Sequence, residues 1–270
     1  MKHKAFFRIC CLLLCLFLLF GGSARADAPA AEKAFATLSE AVALPEAPEI
    51  VSDYAVLVEA KSGIILYEKN ALDRAAPASI TKVMTALLIV ENCDPNETVT
   101  FSYRACHELA SGSSTIYRTE GEQMNVLECL YALMVASANE VSQGLAEHMS
   151  GSIEAFIARM NKRAEELGCV NTHFANTHGT PDPDHYTCCH DMALILKEAL
   201  RHDLLKTIMG TARYQIPPTN KHDEITYMQS KHPLVTDYFH TRYEGAYAGK
   251  TGHTSEALNT LCTAADRKST

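Results

Sequence analysis

The sequence has no internal repeat and no low-complexity tract, so neither a solenoid nor a disordered scaffold is expected. Its longest apolar run, Ile9 to Phe20, is too short to cross a bilayer comfortably as a retained helix. An excess of positive charge is also missing. With 24 Lys and Arg against 32 Asp and Glu, the formal net charge is -8, which argues against nucleic acid or anionic lipid as partners. The cysteines lack a framework spacing, and no pair has the gap of a zinc site. Cys188-Cys189-His190-Asp191 gathers the right atoms, but adjacent cysteines with no second pair read as a loop entering a helix. No metal or other cofactor is expected. Leu13-Leu14 before Cys15 lacks the small residue that would precede a lipidated cysteine.

What is present begins with an export signal. Lys2, Lys4 and Arg8 form a basic n-region, Ile9 to Phe20 the apolar h-region, and Ala24-Arg25-Ala26 a cleavage site. Residues 1–26 are therefore read as a signal peptide, and the mature chain is expected to start at Asp27, exported and secreted or wall-associated. Residues 1–26 carry four basic and no acidic residues, so the formal charge becomes -12. Of ten cysteines, seven remain, and seven cannot all pair. The simplest expectation is mostly free thiols. Residues 27–52, rich in Ala, Glu and Pro toward their start, read as a linker. Residues 53–270, in a chain that is 47% hydrophobic, are long enough to bury a large core.

The chemistry centres on Pro77-Ala78-Ser79-Ile80-Thr81-Lys82, a turn entering the apolar run Val83 to Val90. Positions i and i+3 share a helix face, so Ser79 Oγ and Lys82 Nζ come together one turn apart. Burial and nearby positive charge lower a lysine pKa into the range of a working base. Alone, S-x-x-K is weak and equally describes an N-cap serine with a surface lysine. Two later stretches change that reading. Ser137-Ala138-Asn139 follows the apolar helix Val126 to Val135, and Lys250-Thr251-Gly252 lies near the C-terminus. S-x-x-K, S-x-N and K-T-G in this order are the motif set of penicillin-binding proteins and class A β-lactamases.

With Ser111-Gly112-Ser113-Ser114, Asn176-Thr177-His178-Gly179, Asp191-Met192-Ala193, Ile216-Pro217-Pro218-Thr219-Asn220 and Lys250-Thr251-Gly252-His253-Thr254, the chain resembles the low-molecular-weight D-alanyl-D-alanine carboxypeptidases of serine peptidase family S11. The resemblance runs from about Asp53 to the last residue. It implies an α/β (α+β) β-lactamase/transpeptidase-like fold, an antiparallel sheet flanked by helices with an all-helical subregion. It also implies removal of the terminal D-alanine from peptidoglycan stem peptides, with β-lactams as inhibitors. In that reading Ser79 is the nucleophile and Lys82 its base, and Ser137 passes a proton to the leaving amine. Asn139 holds a substrate carbonyl or the lysine. Lys250 and Thr251 receive the substrate carboxylate, and Gly252 leaves room for the substrate backbone. The oxyanion hole would be the backbone N-H groups of Ser79 and His253.

Three points remain open at this stage. Glu140 stands where the family commonly has Asp. Family members continue past residue 270 with a further strand and a closing helix, often then a second domain and an amphipathic anchor, so the sheet is expected to be short by a strand, and no such anchor is read here. A β-lactamase needs a carboxylate on a loop after the second motif, whereas Glu165 and Glu166 close a helix at Leu167-Gly168. A β-lactamase, a D,D-endopeptidase and a non-catalytic wall-binding protein are the alternatives. His173, His178 and His185 read as loop packing.

The expected elements are a hairpin of Tyr54 to Glu59 and Ile64 to Glu68, and helices from Val126, Asn139, Ile153 and Asp191. Asn125 and Glu128 have the spacing of a capping box. Strands are expected at Ala246 to Thr254 and Leu258 to Ala265.

Overall fold

The computed structural model describes residues 47–237 and 240–266. The signal peptide expected at 1–26 and most of the linker lie outside the described residues. A compact unit begins at Ile50, and residues 47–49 before it carry no secondary structure.

The expected hairpin is present as β1 (Ala55–Val58) and β2 (Ile65–Lys69), antiparallel. Its turn closes on Glu59, whose carboxylate accepts from the Lys61 and Ser62 amides, while Gly63 takes φ 77, a left-handed value natural to glycine. A single 3-10 turn, Ala78–Thr81, then leads into α1 (Lys82–Asn92). Every residue of α1 from Lys82 to Ile89 is buried. A helix apolar on all sides is a core element, and each fully buried Leu or Ile contributes roughly 1.5–3 kcal/mol.

Short elements fill the stretch between α1 and Val126. They are β3 (Thr98–Thr100), α2 (Tyr103–His107) and β4 (Gln123–Asn125), with β3 and β4 paired antiparallel. Asn125 caps α3 (Val126–Tyr131) through the expected box: its Oδ1 accepts the Glu128 amide at 2.7 Å and Glu128 Oε2 accepts the Asn125 amide at 3.0 Å. The helix continues as a wide π turn, Ala132–Ala136, and stops at Ser137, whose φ is 63. That left-handed residue turns the chain into α4 (Asn139–Ser150). Helix α5 (Ile153–Glu166) ends with Leu167 as C-cap and Gly168 at φ 83.

Helix α6 (Cys189–Ala199) explains the cysteine cluster: Cys188 is its N-cap, Sγ accepting the Asp191 amide at 3.5 Å. Asp191 in turn is held by the Asn171 amide and Thr172 hydroxyl at 2.7 and 2.8 Å. Three unforeseen elements follow: α7 (Asp203–Met209) and the antiparallel pair β5 (Arg213–Ile216) and β6 (Thr226–Gln229). The chain then forms β7 (Ala246–Thr254) and β8 (Leu258–Ala265), both with the expected bounds and antiparallel.

The antiparallel sheet implied by the resemblance is divided. Strands β1–β2 and β7–β8 both pack against α6, yet among the described residues they belong to separate two-stranded ladders. The seven cysteines among the described residues are all free thiols.

Candidate active site

The site forms where the 3-10 turn, the Ser137 turn, the loop before α6 and β7 meet. Local strain presents Ser79. Ala78 sits at φ 50, and Thr81 Oγ donates to the Ala78 carbonyl at 2.8 Å, closing the turn under the serine. Because the Thr81 proton is committed there, the 2.8 Å contact with His185 Nε2 has the imidazole donating. His185 Nδ1 then accepts the Ala175 amide at 3.0 Å, so the ring is neutral and satisfied on both sides. Burial holds its pKa at about 4.

Lys82 Nζ lies 3.0 Å from Ser79 Oγ and donates to the His178 carbonyl at 2.8 Å. The side chain is completely buried. Burial first, then the Lys250 ammonium, push its pKa well below the ordinary lysine value, opposed by the charge of Glu140. A neutral amine beside a hydroxyl is a base in place. Of the two roles expected for Asn139, holding the lysine falls to the backbone of residue 178, and Asn139 makes no side-chain hydrogen bond among the described residues.

The loop that supplies this carbonyl is fixed from three sides. Asn176 Oδ1 accepts the His178 and Gly179 amides, and the Thr177 carbonyl accepts from Thr85 Oγ at 2.6 Å and Ser142 Oγ at 2.7 Å. A Cβ at Gly179 would stand 1.8 Å from the Ala78 carbonyl oxygen, so only glycine lets the loop meet the nucleophile turn. His178 itself is buried and held near pKa 3 by burial, then by Lys82. It packs, as expected for the loop histidines; what serves the lysine is its carbonyl.

Lys250 extends from β7 and is buried. Its Nζ donates to Ser137 Oγ at 3.1 Å and to the Thr251 carbonyl at 2.7 Å, and burial lowers its pKa to about 8. Because Ser137 Oγ accepts from Lys250, the Ser137 proton is free to point elsewhere. Thr251 and Gly252 are half-buried beside it and His253 is exposed, its Nδ1 3.1 Å from Asn259 Oδ1. Gly252 has a further reason to be glycine. A Cβ there would lie 2.7 Å from the Ser79 nitrogen, 2.9 Å from Ala78 Cβ and 2.4 Å from Thr260 Oγ. The space lies between strand and nucleophile turn, and Thr260 Oγ fastens β8 to that turn by donating to the Pro77 carbonyl at 2.8 Å.

The Ser111 to Ser114 loop reaches the site through the Ser114 carbonyl, which accepts the Asn139 amide at 2.8 Å. Glu166 points away, paired with Lys162 at 3.7 Å and Arg163 at 3.5 Å. Among the described residues two groups have metal-ligand chemistry, Cys93–Glu97–His148 and Glu91–Glu198–His202, both at the far end of α1 from Lys82. Each is occupied by ion pairing: His148 with Glu97 at 2.7 Å, and Arg163 with Glu91 and Glu198 at 2.6 and 3.3 Å.

Ser79, Lys82, Ser137, Lys250, Thr251 and Gly252 are therefore tied by hydrogen bond or close packing into one cluster, while Asn139 is joined through its backbone amide to the Ser114 carbonyl and the exposed His253 ring meets Asn259. The His178 carbonyl, Gly179, Thr260 and Glu140 are the participants that motif reading leaves without a role. The Asn-Thr-His-Gly stretch flagged two of them by position.

Comparison with known proteins bears on this geometry. Residues 41–270 match the profile of the peptidase S11 family, D-alanyl-D-alanine carboxypeptidase. The chain is 38% identical over 215 residues to D-alanyl-D-alanine carboxypeptidase DacF of Bacillus subtilis, covering 79% of this chain and 54% of that protein. It is 30% identical over 216 residues to a D-alanyl-D-alanine carboxypeptidase of Streptomyces sp. strain K15, covering 76% and 73%. The solved Streptomyces K15 DD-transpeptidase superposes with a TM-score of 0.74 at 27% identity, covering 82% of this chain and 87% of that one. The chain spans about half the length of most of the curated relatives it matches.

Proposed function

The chain belongs to the S11 family of D-alanyl-D-alanine carboxypeptidases, and on that premise we propose that it removes the terminal D-alanine from peptidoglycan stem peptides through a Ser79 acyl-enzyme. The observation that carries this is Lys82: a fully buried amine, depressed in pKa, 3.0 Å from a serine hydroxyl.

Lys82 Nζ takes the Ser79 proton as Oγ attacks the carbonyl carbon of the penultimate D-Ala. The oxyanion is received by the Ser79 and His253 amides. The C–N bond breaks, and the proton reaches the departing D-Ala amine through Ser137, whose hydroxyl is oriented by Lys250. Water then adds to the ester, and Ser79 regains its proton. Lys250 and Thr251 bind the substrate's terminal carboxylate, and the side-chain amide of Asn139 binds a backbone carbonyl. A β-lactam carries the same carboxylate and carbonyl and enters the same path. Its ester persists, because the carboxylates that would activate a deacylating water, Glu165 and Glu166, close α5 away from the site.

The substrate places the protein outside the cytoplasm, in keeping with cleavage of residues 1–26 and a linker ahead of the domain that starts near residue 53. The test is turnover: release of D-alanine from a diacyl-Lys-D-Ala-D-Ala tripeptide, lost in Ser79→Ala. Retention of that release in Ser79→Ala, or rapid catalytic turnover of a cephalosporin without D-alanine release, would overturn the assignment.

A further inference from the structure

Glu140 is a buried carboxylate to which the acyl-transfer steps assign no part. It follows Asn139 on α4 and is 1% exposed. Its Oε1 accepts the Ile116 amide at 2.6 Å and the Arg118 amide at 3.5 Å, while Oε2 is buried with no hydrogen-bond partner among the described residues. Between those two amides stands Tyr117, at φ 61 and 83% exposed. A bulky residue in the left-handed region persists only where its surroundings over-determine it. Here the surroundings are two amides drawn onto one carboxylate oxygen, a small anion-binding concavity of the backbone. The same segment is stitched to the next residue of the second motif, since the Ser114 carbonyl accepts the Asn139 amide. Residues 114–118 and 139–140 are thus joined by three hydrogen bonds.

The charge environment gives Glu140 a second connection. The groups that bear on Lys82 are Lys250 from β7, His178 and His185 from the loop before α6, and Glu140 from α4; among those bearing on its pKa, Glu140 supplies the one negative charge. Those that bear on Glu140 are Arg118 from its own clamp, Cys106 from α2, Cys129 from α3 and Lys82. Burial raises the Glu140 pKa above the ordinary carboxylate value; the Ile116 and Arg118 amides and the Arg118 charge oppose it, although Arg118 is itself committed to Glu122 at 2.5 Å and to Thr226 Oγ.

We propose that Glu140 is a positioning residue of the site: its carboxylate clamps the Ile116–Arg118 turn against the second motif, and the charge it holds there acts on Lys82. The mechanistic consequence rests on the acyl-transfer reading above; the clamp and the charge do not.

Two variants separate the two parts. Glu140→Gln keeps the carbonyl acceptor and removes the charge. Glu140→Asp keeps the charge and shortens the reach by one methylene. Each is compared with the wild type by amide exchange at Ile116 and by NMR titration of lysine 13Cε, with Lys82 assigned. In Glu140→Gln the Ile116 amide stays protected while the Lys82 midpoint falls. Where the wild type acylates, the acid limb of the penicillin acylation profile then moves to lower pH, about threefold faster at a fixed acidic pH. In Glu140→Asp the Ile116 amide exchanges about tenfold faster or more, and the Lys82 midpoint stays within the shift seen for Glu140→Gln. An unmoved Lys82 midpoint in Glu140→Gln refutes the charge, and unchanged Ile116 protection in Glu140→Asp refutes the clamp. A wild type that never acylates refutes the acyl-transfer reading while both NMR results still decide the role of Glu140.

Discussion

Replacing Gly252 by Ala tests whether β7 is fitted to the nucleophile turn. The added Cβ would lie 2.7 Å from the Ser79 nitrogen and 2.9 Å from Ala78 Cβ. Carbon contacts settle near 3.5–4.0 Å, so one partner must retreat by roughly 0.7 Å. Neither is free to do so cheaply. Strand β7 is laddered to β8 along its length, and β8 is pinned to the turn by Thr260 Oγ on the Pro77 carbonyl. The turn itself is closed by Thr81 and backed by Gly179. The retreat falls on the Ser79 amide, the proposed oxyanion donor, and losing one such donor costs about 100- to 1000-fold, or about 3–4 kcal/mol of transition-state stabilisation. The assay is the second-order rate of acylation by a fluorescent penicillin, with thermal unfolding alongside. Gly144→Ala is the control. Its Cβ would meet the Phe101 ring at 2.7 Å in the core, so it is expected to lower the melting temperature and leave acylation within about threefold. Wild-type acylation by folded Gly252→Ala would refute the reasoning, because the close approach of strand and turn would then carry no catalytic geometry.

Other outcomes follow from the same coordinates. Burial lowers the Lys250 pKa to about 8, and in the proposed reaction it binds the carboxylate only as an ammonium, so the acylation rate at low β-lactam concentration should fall as pH rises through about 8. A rate still climbing at pH 9 would contradict that. His178 and His185 have folded pKa values of about 3 and about 4, below the ordinary 6.5, so the unfolded chain binds their protons first as the solution is acidified. Stability is then full above about pH 6.5 and lost below it, by about 1.4 kcal/mol per pH unit for each histidine. Urea midpoints at pH 7 and pH 5 measure the loss, and equal midpoints would contradict it. Asn125→Ala removes half of the capping box on α3 and should cost about 1 kcal/mol in urea unfolding, with acylation unchanged.

The features legible in the sequence were those in which side-chain type and spacing determine geometry by themselves. Ser79 and Lys82 meet because i and i+3 share a face, Asn125 and Glu128 lock because capping is local, and Gly168 ends α5 because a left-handed residue is needed there. Strands β7 and β8 were legible to the residue through the family resemblance, in which the K-T-G stretch resembles an edge strand lining the site. The stretch from Thr98 to His107 was not, because three- and five-residue elements have too few positions for a period to register. The β5–β6 hairpin was hidden by a long connection through two prolines. At the site, the group that holds Lys82 is a backbone carbonyl, which carries no residue-type signal at all. Gly252 was assigned room for the substrate, and what the fold adds is that a Cβ there would also meet the Ser79 turn and Thr260. Glu140 read as a retained charge with altered reach, and its partners, the amides of Ile116 and Arg118, are contacts that only the fold brings to it.

The measurement that bears most directly on the central claim is the intact mass of the protein, produced from Asp27 onward, before and after incubation with benzylpenicillin, followed over hours with peptide mapping. One persistent adduct on Ser79 is expected, absent in Ser79→Ala and strongly slowed in Lys82→Ala. An adduct that survives Ser79→Ala, or none on a folded wild-type chain, would contradict a buried neutral lysine activating that serine.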